Sequence, residues 1–237
     1  MTFKDLDATI ERRLLINYRV DPEVITRLLP APFMPRLVDG QAMAGICLLH
    51  LRQARPAGLP AQLGIETQGV AHRIAVKWPS ADGTMVDGVF IPRRDSGSWM
   101  VATAAGKSLA TRRADFAIME TNDAFDIAMT SRDGGGSLHV IGRVIGDFTD
   151  SALGSLDDAL TFFRNGGPGF SPAPHGRFSG IDLKAASWHF DPLEVTDMKS
   201  SWFDDAGRFP TNSVIFDSGL VMRRTLSQWR SVADIVP

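Results

Sequence analysis

Short segments with the pattern of β-strands, separated by turn residues, dominate this sequence and constrain its fold more than any other feature. In most of them apolar and polar residues alternate, which is typical of a strand with one buried face. The segments lie at 12–20, 42–51, 65–68, 70–78, 89–91, 114–120, 124–131, 138–144, 181–190, 193–198 and 214–230. We therefore predict a mainly β (α+β) fold, built on a closed or clam-like antiparallel sheet of the β-barrel type.

Two segments carry the signals of short helices. Asp21-Pro22-Glu23 places an N-cap residue before a proline at the first helical position, with an acid in the first turn. Ser155 stands three residues before Asp158, the arrangement of a capping box, and Gly166 follows the apolar face of that second helix. We predict two or three short helices packed against the sheet.

Length and charge narrow the classes of function. A β-rich chain of 237 residues commonly forms one domain, so we predict a single domain over residues 1–237. The formal net charge of −2 gives no basic surface for nucleic acid. No apolar run reaches the roughly twenty residues that span a bilayer, and the N-terminus lacks the apolar core of a signal peptide. We expect a cytoplasmic protein without nucleic-acid or membrane partners, and we leave assembly into a homo-oligomer open.

Metal and thiol chemistry find little support in the sequence. The five histidines are scattered without metal-ligand spacing, such as a helical i, i+4 pair. The single cysteine, Cys47, lies in an apolar run and is interpreted as a small buried side chain. We predict no metal site and no cofactor.

The densest group of basic residues lies in the stretch 87–116. It contains, among small and apolar residues, Arg93, Arg94, Lys107, Arg112 and Arg113. Cationic groups at strand ends beside an apolar sheet can present positive charge to a cavity, where a small carboxylate would bind. We predict that Arg93, Arg94 and Arg112 bind such a ligand, and that Asp95 pairs with one arginine to orient it. The alternative is that these are surface charges at loop tips.

Proline and turn residues shape the expected structure within this stretch. Pro92 is expected to end a strand at 89–91, because proline cannot donate to a sheet ladder. Residues 93–98 then have the composition of a turn, and residues 99–105 return as an apolar segment.

His72 and Arg73 lie on an alternating segment, so their side chains are predicted to point to opposite faces of the sheet. One of the two is expected to enter a cavity, and we include His72 among the candidate substrate-binding residues. A structural hydrogen bond is the alternative role for either side chain.

Several motifs resemble the acetoacetate decarboxylase-like superfamily. They are Tyr18-Arg19-Val20-Asp21 followed by Leu29-Pro30-Ala31-Pro32, the central GVFIPRRDSGSW, the later FFRNGGPGFSP, and FDSGLVMRRTLSQW near the end. Within that superfamily they resemble an uncharacterised bacterial branch, the domain of unknown function 2071, over nearly the whole chain. The resemblance implies a barrel-like or clam-shaped domain with an interior cavity, and it brings lyase chemistry into consideration.

The same resemblance bears on catalysis. The characterised decarboxylases of the superfamily form a Schiff base through a lysine that stands beside a second lysine. Gly106-Lys107 matches a glycine-arginine step before that pair, and Arg112 and Arg113 lie in the place of the pair. An arginine stays protonated and cannot attack a carbonyl. Decarboxylation of acetoacetate through a Schiff base is therefore not expected at these positions.

Two classes of function remain open. One is a protein with an interior pocket for a small carboxylate or keto-acid-like metabolite. The other is a Schiff-base enzyme of the decarboxylase, aldolase or dehydratase type, with Lys107 as the catalytic residue. Nearby arginine charge and an apolar cavity would lower the pKa of Lys107 from about 10.4 and make it a usable nucleophile. A solvent-facing lysine at a turn is the alternative.

Overall fold

The computed structural model describes residues 5–80, 82–105 and 109–236, except for the side chains of residues 104 and 105. Its helices are α1 (Pro22–Leu28), α2 (Trp99–Ala105) and α3 (Leu156–Arg164), with single 3-10 turns at Ala61–Leu63 and Pro174–Gly176. The strands are β1 (Leu6–Val20), β2 (Met34–Pro35), β3 (Leu37–Val38), β4 (Gln41–Pro56), β5 (Ile65–Pro79), β6 (Met85–Ser96), β7 (Thr111–Glu120), β8 (Ala124–Ser131), β9 (Ser137–Val144), β10 (Gly169–Pro172), β11 (Phe178–Ala185), β12 (Asp191–Ser200) and β13 (Val214–Ile235). The predicted mainly β class with two or three short helices is confirmed.

All thirteen strands of the described residues belong to one sheet that closes on itself. The strands follow the order β6-β7-β8-β9-β12-β13-β1-β4-β5, and β5 pairs again with β6. A second closure runs from β6 through β10 and β11 back to β13. The two rings therefore share one wall, made of β13, β1, β4, β5 and β6. Closure removes the open edges that would otherwise pair with other chains.

The pairings are antiparallel, as predicted, with two short exceptions on β6. Residues 94–96 lie parallel to residues 111–113 of β7, and residues 89–90 lie parallel to residues 169–170 of β10. A parallel connection between successive strands needs a crossover, and α2 supplies it between β6 and β7. The segment 99–105, whose sequence shows only apolar character, is helical in this crossover.

Strand β6 continues through Pro92, where the sequence predicted the strand to end. The pairing of β6 with β5 shifts register here and leaves Ile91 and Pro92 together opposite Arg73. Proline has no N–H to donate, so it is tolerated at such a bulge. The predicted turn at 93–98 is therefore mostly strand. The bulge also shifts the alternation of side chains, so that Ile91 and Arg94 border the same cavity.

Both predicted helix starts are present. Asp21 Oδ1 accepts a hydrogen bond from the Glu23 amide at 2.8 Å. Ser155 and Asp158 form the reciprocal capping box, with the Asp158 amide donating to Ser155 Oγ at 3.2 Å and the Ser155 amide to Asp158 Oδ2 at 3.0 Å. In the described ranges, no helix has the length and apolar character that crossing a membrane requires.

The shared wall separates two hydrophobic clusters. Leu14, Ile16 and Leu48 belong to the larger cluster, whereas Leu15 and Cys47 belong to the other. Neighbouring residues of β1 and β4 therefore point to opposite sides of the wall, as the period of two in a strand requires. The candidate site lies on the side of Leu15 and Cys47.

Candidate functional site

A cavity of about 270 Å³ lies on this side of the shared wall. Cys47 of β4 lies opposite Ala71 of β5, which in turn lies opposite Arg94 of β6, and all three line the cavity. Gly69, two residues before Ala71 on the same face, also lines it. The small residues Cys47, Gly69 and Ala71 on two adjacent strands leave space above the sheet, which long side chains would otherwise fill.

Helix α3 covers part of the cavity through two aromatic rings. The centroid of the Phe163 ring lies 4.8 Å from the guanidinium carbon of Arg73, and that of Phe162 lies 4.4 Å from the guanidinium carbon of Arg36. Arg36 also pairs with Asp87 at 3.1 Å. An aromatic face over a guanidinium is a favourable cation–π contact. Two such contacts therefore hold the end of α3 against the cavity.

Arg73 projects into the cavity from β5. One of its Nη atoms donates to Asn17 Oδ1, whereas its buried Nε makes no hydrogen bond within the described residues. Gly45 provides room for the guanidinium, because a Cβ at that position would lie 3.2 Å from Arg73 Nη2. Burial, and then the charge of Arg13, lower the pKa of Arg73 to about 10. The side chain is still protonated at neutral pH.

Arg13 reaches the same cavity from β1. Its Nε and Nη1 are buried and have no hydrogen-bond partner among the described residues. Its guanidinium carbon lies 5.6 Å from the centroid of the Trp188 ring. Arg13 and Arg73 are near enough for one charge to lower the pKa of the other. A pair of like charges in apolar surroundings is costly unless an anion joins it.

Arg94 of β6 also lines the cavity. Its Nη1 donates to the Leu109 carbonyl at 3.2 Å and to Ser171 Oγ, and Ser171 Oγ donates in turn to the Ile91 carbonyl at 2.9 Å. Burial lowers the pKa of Arg94 to about 10. These partners are neutral, so they fix the position of the guanidinium without compensating its charge.

In the described part of the chain, Arg13, Arg73 and Arg94 form no ion pair with a carboxylate. Two carboxylates do border the cavity, Asp95 and Asp182. The Asp95 carboxylate is bound by Arg93, which does not line the cavity, at 2.8 Å, and Asp182 forms no ion pair with Arg13, Arg73 or Arg94. The cavity therefore carries surplus positive charge within largely apolar walls.

The structure places two of the predicted ligand-binding arginines outside the cavity. Arg93 donates to both oxygens of Asp95, at 2.8 and 2.9 Å, and to Asp133 at 2.7 Å, and these partners raise its pKa. The expected pairing of Asp95 with an arginine is thus present. Arg112 is exposed and lies 3.5 Å from Asp133. Neither side chain lines the cavity, and both face carboxylates of the protein. Of the three predicted arginines only Arg94 lines it, and the role of Arg93 and Arg112 in ligand binding stays a prediction.

His72 also lies away from the cavity. Its ring packs against Trp202, with centroids 5.2 Å apart, on the opposite side of the shared wall from Arg73. Neither ring nitrogen has a hydrogen-bond partner within the described ranges. Burial lowers the pKa of His72 to about 4. In the described structure its contacts are those of a packed side chain, and its role in substrate binding stays a prediction.

Lys107, the predicted catalytic residue, lies outside the described residues, together with Gly106 and Ser108. Val101 and Leu109, on either side of that gap, both line the cavity. Of the lysines that the structure does describe (Lys77, Lys184 and Lys199), none lines it. The role assigned to Lys107 stays a prediction.

The sequence did not single out Arg13, and of the pair His72 and Arg73, one of which was expected to enter a cavity, it placed His72 among the candidate binding residues. Their signal is weak, because each is one cation within an ordinary alternating strand. What distinguishes Arg73 is the small residue opposite it, Gly45 on the neighbouring strand β4.

A buried polar network supports Arg73 from behind. Asn17, which accepts from Arg73, donates through Nδ2 to Ser218 Oγ at 3.2 Å. Ser218 Oγ lies 2.8 Å from Asp217 Oδ2, to which it donates. Asp217 also accepts from the Ala152 amide at 2.8 Å, just before α3 begins. The network therefore fixes the direction of the Arg73 guanidinium and anchors the segment that leads into the cavity cover.

Among the described residues, no group of three or more His, Cys, Asp or Glu side chains is arranged to hold a metal ion. Cys47 is a free, buried cysteine at the cavity floor.

Comparison with known families gives one match over most of the chain. The model of DUF2071, described as an uncharacterized conserved protein, matches residues 7–219. No sequence among curated proteins matches significantly.

Solved structures share the fold. An acetoacetate decarboxylase-like enzyme from Sphingomonas wittichii RW1 has a TM-score of 0.63 at 13% identity, covering 98% of this chain and 93% of that one. The enduracididine biosynthesis enzyme MppR complexed with pyruvate has a TM-score of 0.62 at 14% identity, with coverages of 99% and 91%. Acetoacetate decarboxylase from Legionella pneumophila has a TM-score of 0.58 at 11% identity, with coverages of 98% and 88%. At such low identities the likeness shows the fold alone.

Proposed function

The chain belongs to the DUF2071 family of uncharacterized conserved proteins, and we propose that its cavity binds a small carboxylate of the keto-acid type. The observation that carries the proposal is that three of the arginines lining the cavity, Arg13, Arg73 and Arg94, have no carboxylate partner among the described residues. An arginine cannot relieve its burial by losing a proton near neutral pH. A bound anion is the remaining way to compensate the charge.

The chemistry of a keto acid fits these groups. A carboxylate can accept charge-assisted hydrogen bonds from Arg73 Nε and from Arg13, the nitrogens that lack a partner in the described structure. The Arg94 guanidinium is a further donor with a fixed position in the cavity. It can donate to the keto oxygen that neighbours the carboxylate of the ligand. A structural neighbour of the same fold is an enzyme complexed with pyruvate, itself a small keto acid, and this agrees with the proposed class of ligand.

Schiff-base catalysis is not part of this proposal. The described lysines lie away from the cavity, and the positions that resemble the superfamily's lysine pair are Arg112 and Arg113. The proposed ligand is held by charge and hydrogen bonds, without a covalent bond to the protein.

Isothermal titration calorimetry with 2-oxobutyrate tests the proposal. We expect binding to the wild-type protein and at least about a tenfold loss of affinity in Arg73→Gln, because one charge-assisted contact is typically worth about 1.5–3 kcal/mol. Glutamine keeps a donor for Asn17 while removing the charge. Arg143→Gln is the matched control, since Arg143 is an exposed arginine paired with Glu194 at 2.5 Å.

The methyl ester of 2-oxobutyrate serves as the ligand control, because it keeps the shape and loses the anionic group. We expect the ester to bind at least tenfold more weakly than the acid. Equal affinity for acid and ester, or equal affinity of Arg73→Gln and the wild-type protein for the acid, would contradict the proposal.

A further inference from the structure

The shape of the cavity specifies the ligand further. Resting on the proposed function, we propose that the carboxylate ligand carries an apolar tail, so that the cavity binds an amphipathic monocarboxylate in preference to pyruvate-sized acids. The head occupies the region of Arg13 and Arg73, and the tail lies along the strands towards Leu51 and Trp229.

The cavity is elongated along the shared wall. On β5 alone, residues 67–71, 73 and 75 line it. Residues 67 and 75 are eight steps apart, which at a rise of about 3.3 Å per residue corresponds to about 26 Å of strand, several times the length of pyruvate. The cations occupy only part of this length. Arg73 is on β5 itself, Arg94 lies opposite Ala71, and Arg13 lies opposite Leu49, which in turn pairs with Gly69, so the part of β5 before residue 69 faces none of the three.

Apolar side chains line the cavity beyond the cations. Towards the start of β5 they come from β4, α2, the segment just before β7, β11 and β13, and they are Leu49, Leu51, Val101, Leu109, Leu183 and Trp229. Leu109 is 2% exposed and packs with Ile181 and Trp229 in a small cluster of its own. A ligand that consists only of the anionic head would leave this apolar surface uncovered, whereas an aliphatic or aromatic tail would bury it.

At the opposite end of the cavity, two aromatic rings lie on arginines. There the Phe163 ring lies on Arg73 and the Phe162 ring on Arg36, and Arg36 is paired with Asp87. These contacts are already satisfied within the protein. The direction of the tail is therefore from Arg73 past Gly69 and Leu49 towards Leu51.

A series of straight-chain 2-oxo acids, from pyruvate to 2-oxooctanoate, tests this inference. Binding is followed by tryptophan fluorescence, since Trp188 and Trp229 both line the cavity. We expect affinity to rise about fourfold with each added methylene until the cavity is filled, the factor that corresponds to burying one CH2 group. 2-Oxoglutarate, with a second carboxylate in place of an apolar end, is expected to bind more weakly than 2-oxopentanoate.

Two variants separate the head from the tail. Gly69→Val places a branched side chain in the path of the tail, and its Cβ would meet nothing closer than the Asp95 carbonyl oxygen at 3.6 Å. We expect Gly69→Val to weaken the binding of 2-oxooctanoate at least tenfold and to change the affinity for pyruvate less than twofold. Arg73→Gln should weaken every acid by a similar factor. If thermal melting shows that Gly69→Val is unfolded, Leu51→Thr replaces it, with the same expectation.

The outcomes distinguish this inference from the proposed function. An affinity that is flat or falls with chain length, or tighter binding of 2-oxoglutarate, would overturn the apolar tail while leaving a carboxylate site that depends on Arg73. If Gly69→Val, or Leu51→Thr in its place, weakens the binding of pyruvate and of 2-oxooctanoate equally, the apolar tail is also overturned. If none of the acids binds the wild-type protein, both ideas fail together.

Discussion

At the scale of single residues, two adjacent arginines of β1 show how this fold treats charge. Arg12 is 3% exposed, pairs with Glu120 and donates to Gln68 at 2.8 Å. Arg13 points to the other side of the strand, where its buried nitrogens have no partner in the described structure. A buried charge is tolerated when it is paired and costs stability when it is not. A loss of stability from an unpaired buried charge is expected at a position where a bound ligand provides the missing partner.

Replacing these two arginines should therefore have opposite effects on stability. We expect Arg13→Met to raise the free energy of unfolding of the ligand-free protein by about 1 kcal/mol, because it removes an unpaired charge and keeps apolar contact with Trp188. Arg12→Met should lower it by about 1–3 kcal/mol, since Glu120 and Gln68 lose their partner. Urea denaturation followed by circular dichroism measures both. Destabilisation by both variants to the same extent would refute the distinction.

The sequence predicts part of this residue-scale picture. Alternation along β5 correctly separates His72 from Arg73, because successive side chains of a strand point to opposite faces. Alternation does not say which face borders a cavity. That depends on the small residues Gly45 and Cys47 of β4, which become neighbours of β5 only through long-range pairing. Candidate residues chosen for local density of charge therefore included Arg93, which the fold pairs with Asp95.

At the scale of elements, local signals were reliable and long-range ones were not. The helix starts at Asp21 and Ser155 could be predicted because a cap and its partner lie within three residues of each other. The continuation of β6 through Pro92 could not be predicted, because the bulge that accommodates the proline forms only against Arg73 on β5. That same bulge turns Arg94 into the cavity, so a local irregularity decides the composition of the site.

Close packing of β1 on β4 gives an element-scale prediction. A Cβ at Gly45 would lie 2.4 Å from the Ile16 carbonyl oxygen, so Gly45→Ala must push the two strands apart. We expect a loss of about 1–3 kcal/mol in the free energy of unfolding, the usual cost of overpacking. Gly69→Ala is the matched control, since its nearest atom would be 3.6 Å away and a change within about 0.5 kcal/mol is expected. Similar melting temperatures for the two variants would contradict this account of the wall.

At the scale of the whole molecule, two rings of strands share one wall and thereby create two interiors. One interior is filled by the larger hydrophobic cluster, which includes Ile16 and Leu48. The other contains the cavity, bounded by the wall, by β11 and by α3. The sequence predicts a closed sheet, because strand patterns recur along the chain. It does not predict the double closure, since the pairings of β11 with β13 and of β10 with β6 join distant segments.

The most direct test of the central claim is the crystal structure of the complex with 2-oxohexanoate. We expect the carboxylate to lie within hydrogen-bonding distance, about 3.2 Å, of Arg73 and Arg13 nitrogens, with the aliphatic chain directed towards Leu51. A carboxylate bound instead at Arg93 or Arg112, outside the cavity, would contradict it. So would a cavity without the acid at a concentration that saturates binding in solution.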